Sequence, residues 1–257
     1  ACPFPTAVLS NQTGYETYFC EDFTEHMEPY MEQWKERGFV PDGIYTGFLS
    51  DEKQADKILK FMDMFAAEDT LILTDPVMGD DGEVYPIYTE ELRRRFCELV
   101  KRSCVITPNL TEALVLLYGK EKMKTVWKEF QTITGQERLE RIEETGRKLA
   151  EEFSLSAVVI TGVDQQEEGE AVKMGNLVLE NGKCSWVFAE KAGGSYSGTG
   201  DIFASILSAG LVKGYSMEAC ADMAVDFISA SIRDAVKEGT DRNDGVCFEL
   251  HLGRLVR

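Results

Sequence analysis

Short apolar runs alternate with amphipathic helical stretches along most of the chain, and this alternation constrains the fold most. Residues 6–10 read as a short buried strand, and residues 21–37 as a polar helix stopped by Gly38. Asp42 to Phe48 is a second strand. Residues 51–66 form a helix with Ala55, Ile58, Leu59, Met62 and Phe65 on one face. Leu71-Ile72-Leu73 is a third strand, and residues 89–101 are a charged helix. Cys104-Val105-Ile106 is a fourth strand, followed by a helix from Leu110 to Tyr118. Residues 136–153 are helical, and Ala157 to Ile160 is a fifth strand. Residues 171–179 and 184–189, separated by Asn181-Gly182, read as an antiparallel hairpin. Residues 201–213 and 216–237 are two apolar helices. Segments 78–87 and 163–170 read as exposed loops. The pattern predicts an α/β fold: a mostly parallel central sheet with helices on both faces and an antiparallel hairpin at one edge. One domain over residues 1–257 is expected, with ligands at the carboxyl ends of the strands.

Charge and side-chain inventory remove several functions. Lys plus Arg number 27 and Asp plus Glu 45, a formal net charge of −18. A nucleic-acid partner needs a basic face, so none is expected. No apolar run approaches the ~20 residues of a membrane helix, and no leader segment is evident. The first residue is Ala1, read as a sign of trimming. Seven scattered cysteines without a C-x-x-C pair suit reduced thiols and a cytoplasmic location. Only His26 and His251 occur, so a histidine-rich metal site is excluded and a Ser-His-Asp triad is disfavoured.

Three motifs fall just after strands. The first is Gly193-Gly194-Ser195-Tyr196-Ser197-Gly198-Thr199-Gly200-Asp201, which opens an apolar helix. Glycines let backbone approach a ligand, and a helix N-terminus presents unpaired N–H groups to phosphoryl oxygens. Asp201 in that setting suits a base that takes a proton from an acceptor hydroxyl. The plainer alternative is that Asp201 caps the helix. The second motif is Thr74-Asp75-Pro76-Val77-Met78-Gly79-Asp80, whose Asp75 suits water held on Mg²⁺, or simply a turn. The third is Thr107-Pro108-Asn109-Leu110-Thr111-Glu112. Asn109 and Glu112 suit Mg²⁺-bound water and phosphate, but also a capping box, and spacing does not separate the two. A P-loop and a complete G-x-G-x-x-G are both absent.

Taken in order, the three motifs resemble the ribokinase-like superfamily, and within it the pyridoxal (pyridoxine, pyridoxamine) kinases. Leu9-Ser10-Asn11-Gln12-Thr13-Gly14-Tyr15 is similar to that family's vitamin-binding stretch, and Thr46-Gly47-Phe48 to its Thr/Ser-Gly-Tyr. The resemblance runs from about Pro5 to the C-terminal helices. It implies ATP-dependent phosphorylation of the 5′-hydroxymethyl of a B6 vitamer, with Mg²⁺ and often K⁺, by a homodimer. Asp201 would be the base. Gly198, Thr199 and Gly200 would form the anion hole. Asp75, Asn109 and Glu112 would organise Mg²⁺ and phosphates, with Asp75 and Glu112 reaching the ion through water. Thr161 and Gly162, after the fifth strand, would lie along the nucleotide. Thr13 would bond a ring polar group, Leu9 and Phe48 would sandwich the pyridine, and Tyr85 would help close the site. The family's first strand, loop and helix have no counterpart here, and a hydroxyl is missing at Phe48.

Four alternatives stand beside this resemblance. Hydroxymethylpyrimidine kinases share the Asp-Pro-Val-Met signature but commonly carry Cys where Asp201 stands. Sugar and nucleoside kinases usually carry a strand cluster near the N-terminus that residues 11–50 do not show. A non-catalytic vitamer-binding regulator would not need Asp201, Asn109 and Glu112 intact. A dinucleotide-dependent dehydrogenase is disfavoured by the missing fingerprint.

Overall fold

A computed structural model describes residues 1–165 and 171–256. In chain order the elements are β1 (Ala7–Leu9), β2 (Cys20–Asp22), α1 (Met27–Glu36), β3 (Gly43–Thr46), α2 (Glu52–Phe65) and β4 (Leu71–Thr74). Next come β5 (Gly79–Asp80), β6 (Glu83–Val84), α3 (Glu90–Lys101), β7 (Val105–Ile106), α4 (Leu110–Phe130) and α5 (Gly135–Phe153). The last are β8 (Ala157–Gln165), β9 (Lys173–Glu180), β10 (Lys183–Glu190), α6 (Thr199–Val212) and α7 (Met217–Glu238).

The central sheet has the order β10-β9-β8-β7-β4-β3. Strands β3, β4, β7 and β8 run parallel, while β9 and β10 add antiparallel at one edge. Period-two alternation sends side chains to opposite faces. Ile44, Ile72, Ile106 and Val158 join a core with helices α1 to α5. Leu73, Val105, Ala157 and Val159 join another with Phe203, Leu207 and Phe227 of α6 and α7. This is the three-layer α/β/α arrangement that the alternation predicts.

Local chemistry explains where several helices begin. Asp51 accepts from the Gln54 N–H, Thr89 from the Leu92 N–H and Ser216 from the Ala219 N–H, each satisfying an orphan donor of a first turn.

Five expectations are corrected. The strand at residues 6–10 shortens to β1 and lies outside the central sheet, paired antiparallel with β2. The helix expected from residue 21 starts at Met27, after a 3-10 turn at Thr24–His26 that follows Asp22. Its carboxylate accepts from the Thr24 N–H, Ser50 Oγ and Gln54 Nε2, tying the β1–β2 pair to the start of α2. The 78–87 segment contains the β5–β6 hairpin. Val163 to Gln165 are strand residues of β8, and the rest of that expected loop, 166–170, lies outside the described residues. The helix expected to stop at Tyr118 does break there, since Gly119 is non-helical (φ 71°, ψ 171°), but it resumes to Phe130.

Candidate active site

The carboxyl ends of β3, β4 and β7 bring the motifs together. The Asp75 N–H donates to the Thr46 carbonyl at 2.8 Å, and the Thr107 N–H to the Thr74 carbonyl at 3.2 Å. Asp75 is 7% exposed. Its Oδ1 accepts from Thr107 Oγ1 at 3.1 Å. Burial, then the nearby Asp201 charge, pushes its carboxyl up to about 7. Among the described residues no hydrogen bond ends on Asp75 Oδ2.

Asn109 and Glu112 form the capping box that the sequence left open. Asn109 Oδ1 accepts from the Glu112 N–H, and Glu112 Oε2 from the Asn109 N–H, both at 2.9 Å. The same residues also hold the β5–β6 hairpin. Glu112 Oε1 accepts from the Met78 N–H at 3.1 Å, and Asn109 Nδ2 donates to the Gly79 carbonyl at 2.8 Å. Burial, reinforced by the Asp75 charge, raises the Glu112 carboxyl well above the usual range.

The hairpin turns through Asp81 and Gly82, both at positive φ. A Cβ on Gly82 would come within 2.4 Å of Trp127 Nε1, so glycine is required there sterically as well. Beyond the turn, the Tyr85 N–H donates to the Met78 carbonyl. Burial and then the charges of Glu112, Asp80, Asp75 and Asp201 raise the Tyr85 phenol.

Gly198, at φ 81°, is the N-cap of α6, and no side chain caps this helix. Asp201 sits in the first turn without serving as a cap. Its one hydrogen bond among the described residues comes from Tyr45 Oη to Oδ1, at 3.3 Å. Burial raises its carboxyl, and the Tyr45 hydrogen bond offsets part of that rise. A Cβ on Gly200 would meet nothing within 4 Å, so internal packing does not explain that glycine.

Thr161 and Gly162 are not beyond the strand but inside it. The β8–β9 register shifts between Ile160 and Val163. Gly162, at φ 69°, lies at this bulge and donates its N–H to Asn176 Oδ1 at 3.2 Å. Thr161, Gly162, Asn176, Gly194, Thr199 and Gly200 line one pocket of about 130 Å³. It runs from the β8 bulge to the α6 N-terminus.

Among the described residues no hydrogen bond joins the remaining residues expected to bind substrate to Asp201. Leu9 is half-buried in β1, Thr13 is exposed, and Phe48 is half-buried with its carbonyl accepting from Thr6 Oγ1. Three participants went unassigned from sequence: Tyr45, Asn176 and the turn at Arg242–Asp244. The Arg242 carbonyl accepts from the Ser197 N–H, and Tyr15 Oη donates to Asp244, so this turn joins the Gly14-Tyr15 stretch to the glycine-rich loop before α6. The sequence carries no clear signal for them: Tyr45 stands in a short Gly-Ile-Tyr-Thr strand where a tyrosine is ordinary packing.

The chain belongs to the phosphomethylpyrimidine kinase family, whose model matches residues 32–245. A candidate phosphomethylpyrimidine kinase of Bacteroides thetaiotaomicron, in a rhombohedral crystal form, is 31% identical with a TM-score of 0.87. That match covers 100% of this chain and 83% of the relative. An orthorhombic form, crystallised with pyridoxal, gives 31% identity, a TM-score of 0.85, and coverage of 100% and 85%. Pyridoxal kinase of Lactobacillus plantarum shares the fold at 23% identity, a TM-score of 0.80, and coverage of 98% and 84%. The curated pyridoxine kinase of Bacillus subtilis (strain 168) is 30% identical over 169 residues, 64% of this chain and 54% of that protein. The match thus spans about half the length of this curated relative.

Proposed function

We propose that the protein transfers the γ-phosphoryl group of ATP to the 5′-hydroxymethyl group of a vitamin B6 vitamer. The observation that carries this reading is the placement of Asp201. It is an uncapped carboxylate in the first turn of α6, beside the helix's orphan N–H groups and close enough to Asp75 to raise its carboxyl. The pyridoxal in the orthorhombic Bacteroides structure supports the choice of acceptor.

Asp201 accepts the proton as the acceptor O–H bond breaks, while the O–P bond forms and the bond to the ADP leaving oxygen breaks. The N–H groups at Gly198, Thr199 and Gly200 face the moving phosphoryl group and stabilise its charge. Thr161 and Gly162 lie along the nucleotide, Leu9, Thr13 and Phe48 hold the pyridine, and Tyr85 excludes water. The donor set fits a hydrated Mg²⁺. Asp75 offers a buried hard-oxygen donor, whereas both Glu112 oxygens already hold backbone N–H groups, so Glu112 acts through water. When bound, Mg²⁺ neutralises phosphate charge and orients the γ-phosphoryl group.

The family model's description, phosphomethylpyrimidine kinase, favours a methylpyrimidine as a second acceptor class, for which hydroxymethylpyrimidine is the probe. The test is ADP release with Mg²⁺-ATP and pyridoxal, pyridoxine, pyridoxamine, hydroxymethylpyrimidine, ribose or no acceptor. Turnover with a B6 vitamer above the acceptor-free rate is expected. Turnover with hydroxymethylpyrimidine alone selects the second reading, and none with any acceptor rejects both.

A further inference from the structure

Tyr45 is the middle of a strand whose neighbours Ile44 and Thr46 are buried on the opposite face. Alternation turns it toward α6, where it packs at the border of the core formed by Phe203, Ala204 and Leu207. A Cβ on Gly47 would come within 3.3 Å of Tyr45 Oη, so the adjacent glycine leaves room for the phenol. The hydroxyl then stands 3.3 Å from Asp201 Oδ1. Among the described residues this is the one hydrogen bond that Asp201's carboxylate receives, and none ends on its Oδ2.

We propose that Tyr45 is a positioning residue for Asp201: its phenol O–H holds Oδ1 and leaves Oδ2 aimed at the acceptor hydroxyl. The inference rests on the reading of Asp201 as the base, and it adds a residue that the motifs do not contain. A carboxylate on a first-turn side chain has a broad terminal torsion, and one fixed donor narrows it. Burial, with the charges of Asp75 and Asp201, keeps the phenol protonated throughout the working pH range. Tyr45 therefore always donates and never competes for the substrate's proton.

The test compares wild type with Tyr45→Phe, Tyr45→Leu and Asp201→Asn, using Mg²⁺-ATP and the best acceptor. Tyr45→Phe should lower kcat ~10-fold and leave both KM values within about twofold, because the hydroxyl orients rather than binds. Tyr45→Leu should lose no less. A wild-type kcat in Tyr45→Phe overturns the inference, as does a neutral Phe variant beside an impaired Leu variant, which would indicate packing alone. A raised acceptor KM with kcat preserved also overturns it, since Tyr45 would then be touching substrate. So does failure of Tyr45→Phe to fold by circular dichroism, which would assign the hydroxyl a structural role. Asp201→Asn separates the two levels. If it retains turnover, the base assignment fails and this inference with it. If it is inactive while Tyr45→Phe keeps its kcat, only this inference fails.

Discussion

Asp75 makes the molecule's stability depend on pH in an unusual direction. Its carboxyl titrates near pH 7 in the fold, against about 3.9 in an unfolded chain. Between about pH 4 and 7 the folded state therefore holds a proton that the unfolded state has released, and stability falls as pH rises through that window. The upward shifts at Glu112, Asp80 and Asp201 act in the same sense. Asp22, Glu28 and Glu90 are lowered instead, so their contributions are lost only on further acidification. The expected outcome is a higher thermal midpoint at about pH 5.5 than at about pH 7.5 in metal-free buffer, with Asp75→Asn reducing the difference. A midpoint that climbs with pH, or an unchanged slope in the variant, would contradict this. At the same scale, Asp75 and Asp201 were legible because glycine, proline and acid occur in a fixed order after strands. Tyr45 was not, because a tyrosine within Ile-Tyr-Thr reads as half-buried packing until the helix opposite it is known.

Helix α4 and the β5–β6 hairpin behave as one unit through the capping box. Asn109→Ala removes the cap on the Glu112 N–H and the bond to the Gly79 carbonyl together. It should cost about 1–2 kcal/mol in urea unfolding. Raised KM for Mg²⁺-ATP with an unchanged urea midpoint would instead give Asn109 a binding role separate from capping. Gly82→Ala should also destabilise, because its positive φ and the Trp127 ring both oppose a side chain. The main elements were legible because apolar residues repeat at two or nearly four positions over long enough spans. β2, β5 and β6 are two or three residues long and carry no usable period, and β1, read from residues 6–10, gave no sign that it lies outside the central sheet. The bulge at Thr161-Gly162 was invisible for a related reason: it is set by the β9 partner, through Asn176, and not by its own sequence.

The whole molecule carries a formal net charge of −18, and its proposed substrate is a polyanion. Long-range repulsion should slow ATP capture at low ionic strength, and added salt should relieve it. The expected result is a lower KM for Mg²⁺-ATP at ~150 mM than at ~20 mM NaCl, the reverse of the trend for a basic cleft. A KM that rises with salt would indicate a local positive field strong enough to outweigh the total. The layered architecture was largely legible at this scale, while the joining of distant loops at Arg242–Asp244 was not, since no local pattern announces it. The three tryptophans occupy three separate places in that architecture. Trp34 lies among Phe4, Phe39, Phe61 and Phe65, Trp186 bonds Glu143 at the sheet's antiparallel edge, and Trp127 rests on Gly82 at the turn of the β5–β6 hairpin. The chain thus contains its own optical probes. With Trp34 and Trp186 replaced by Phe, the remaining indole emission would track the Gly82 turn in real time, so stopped-flow fluorescence could time substrate entry without any attached dye.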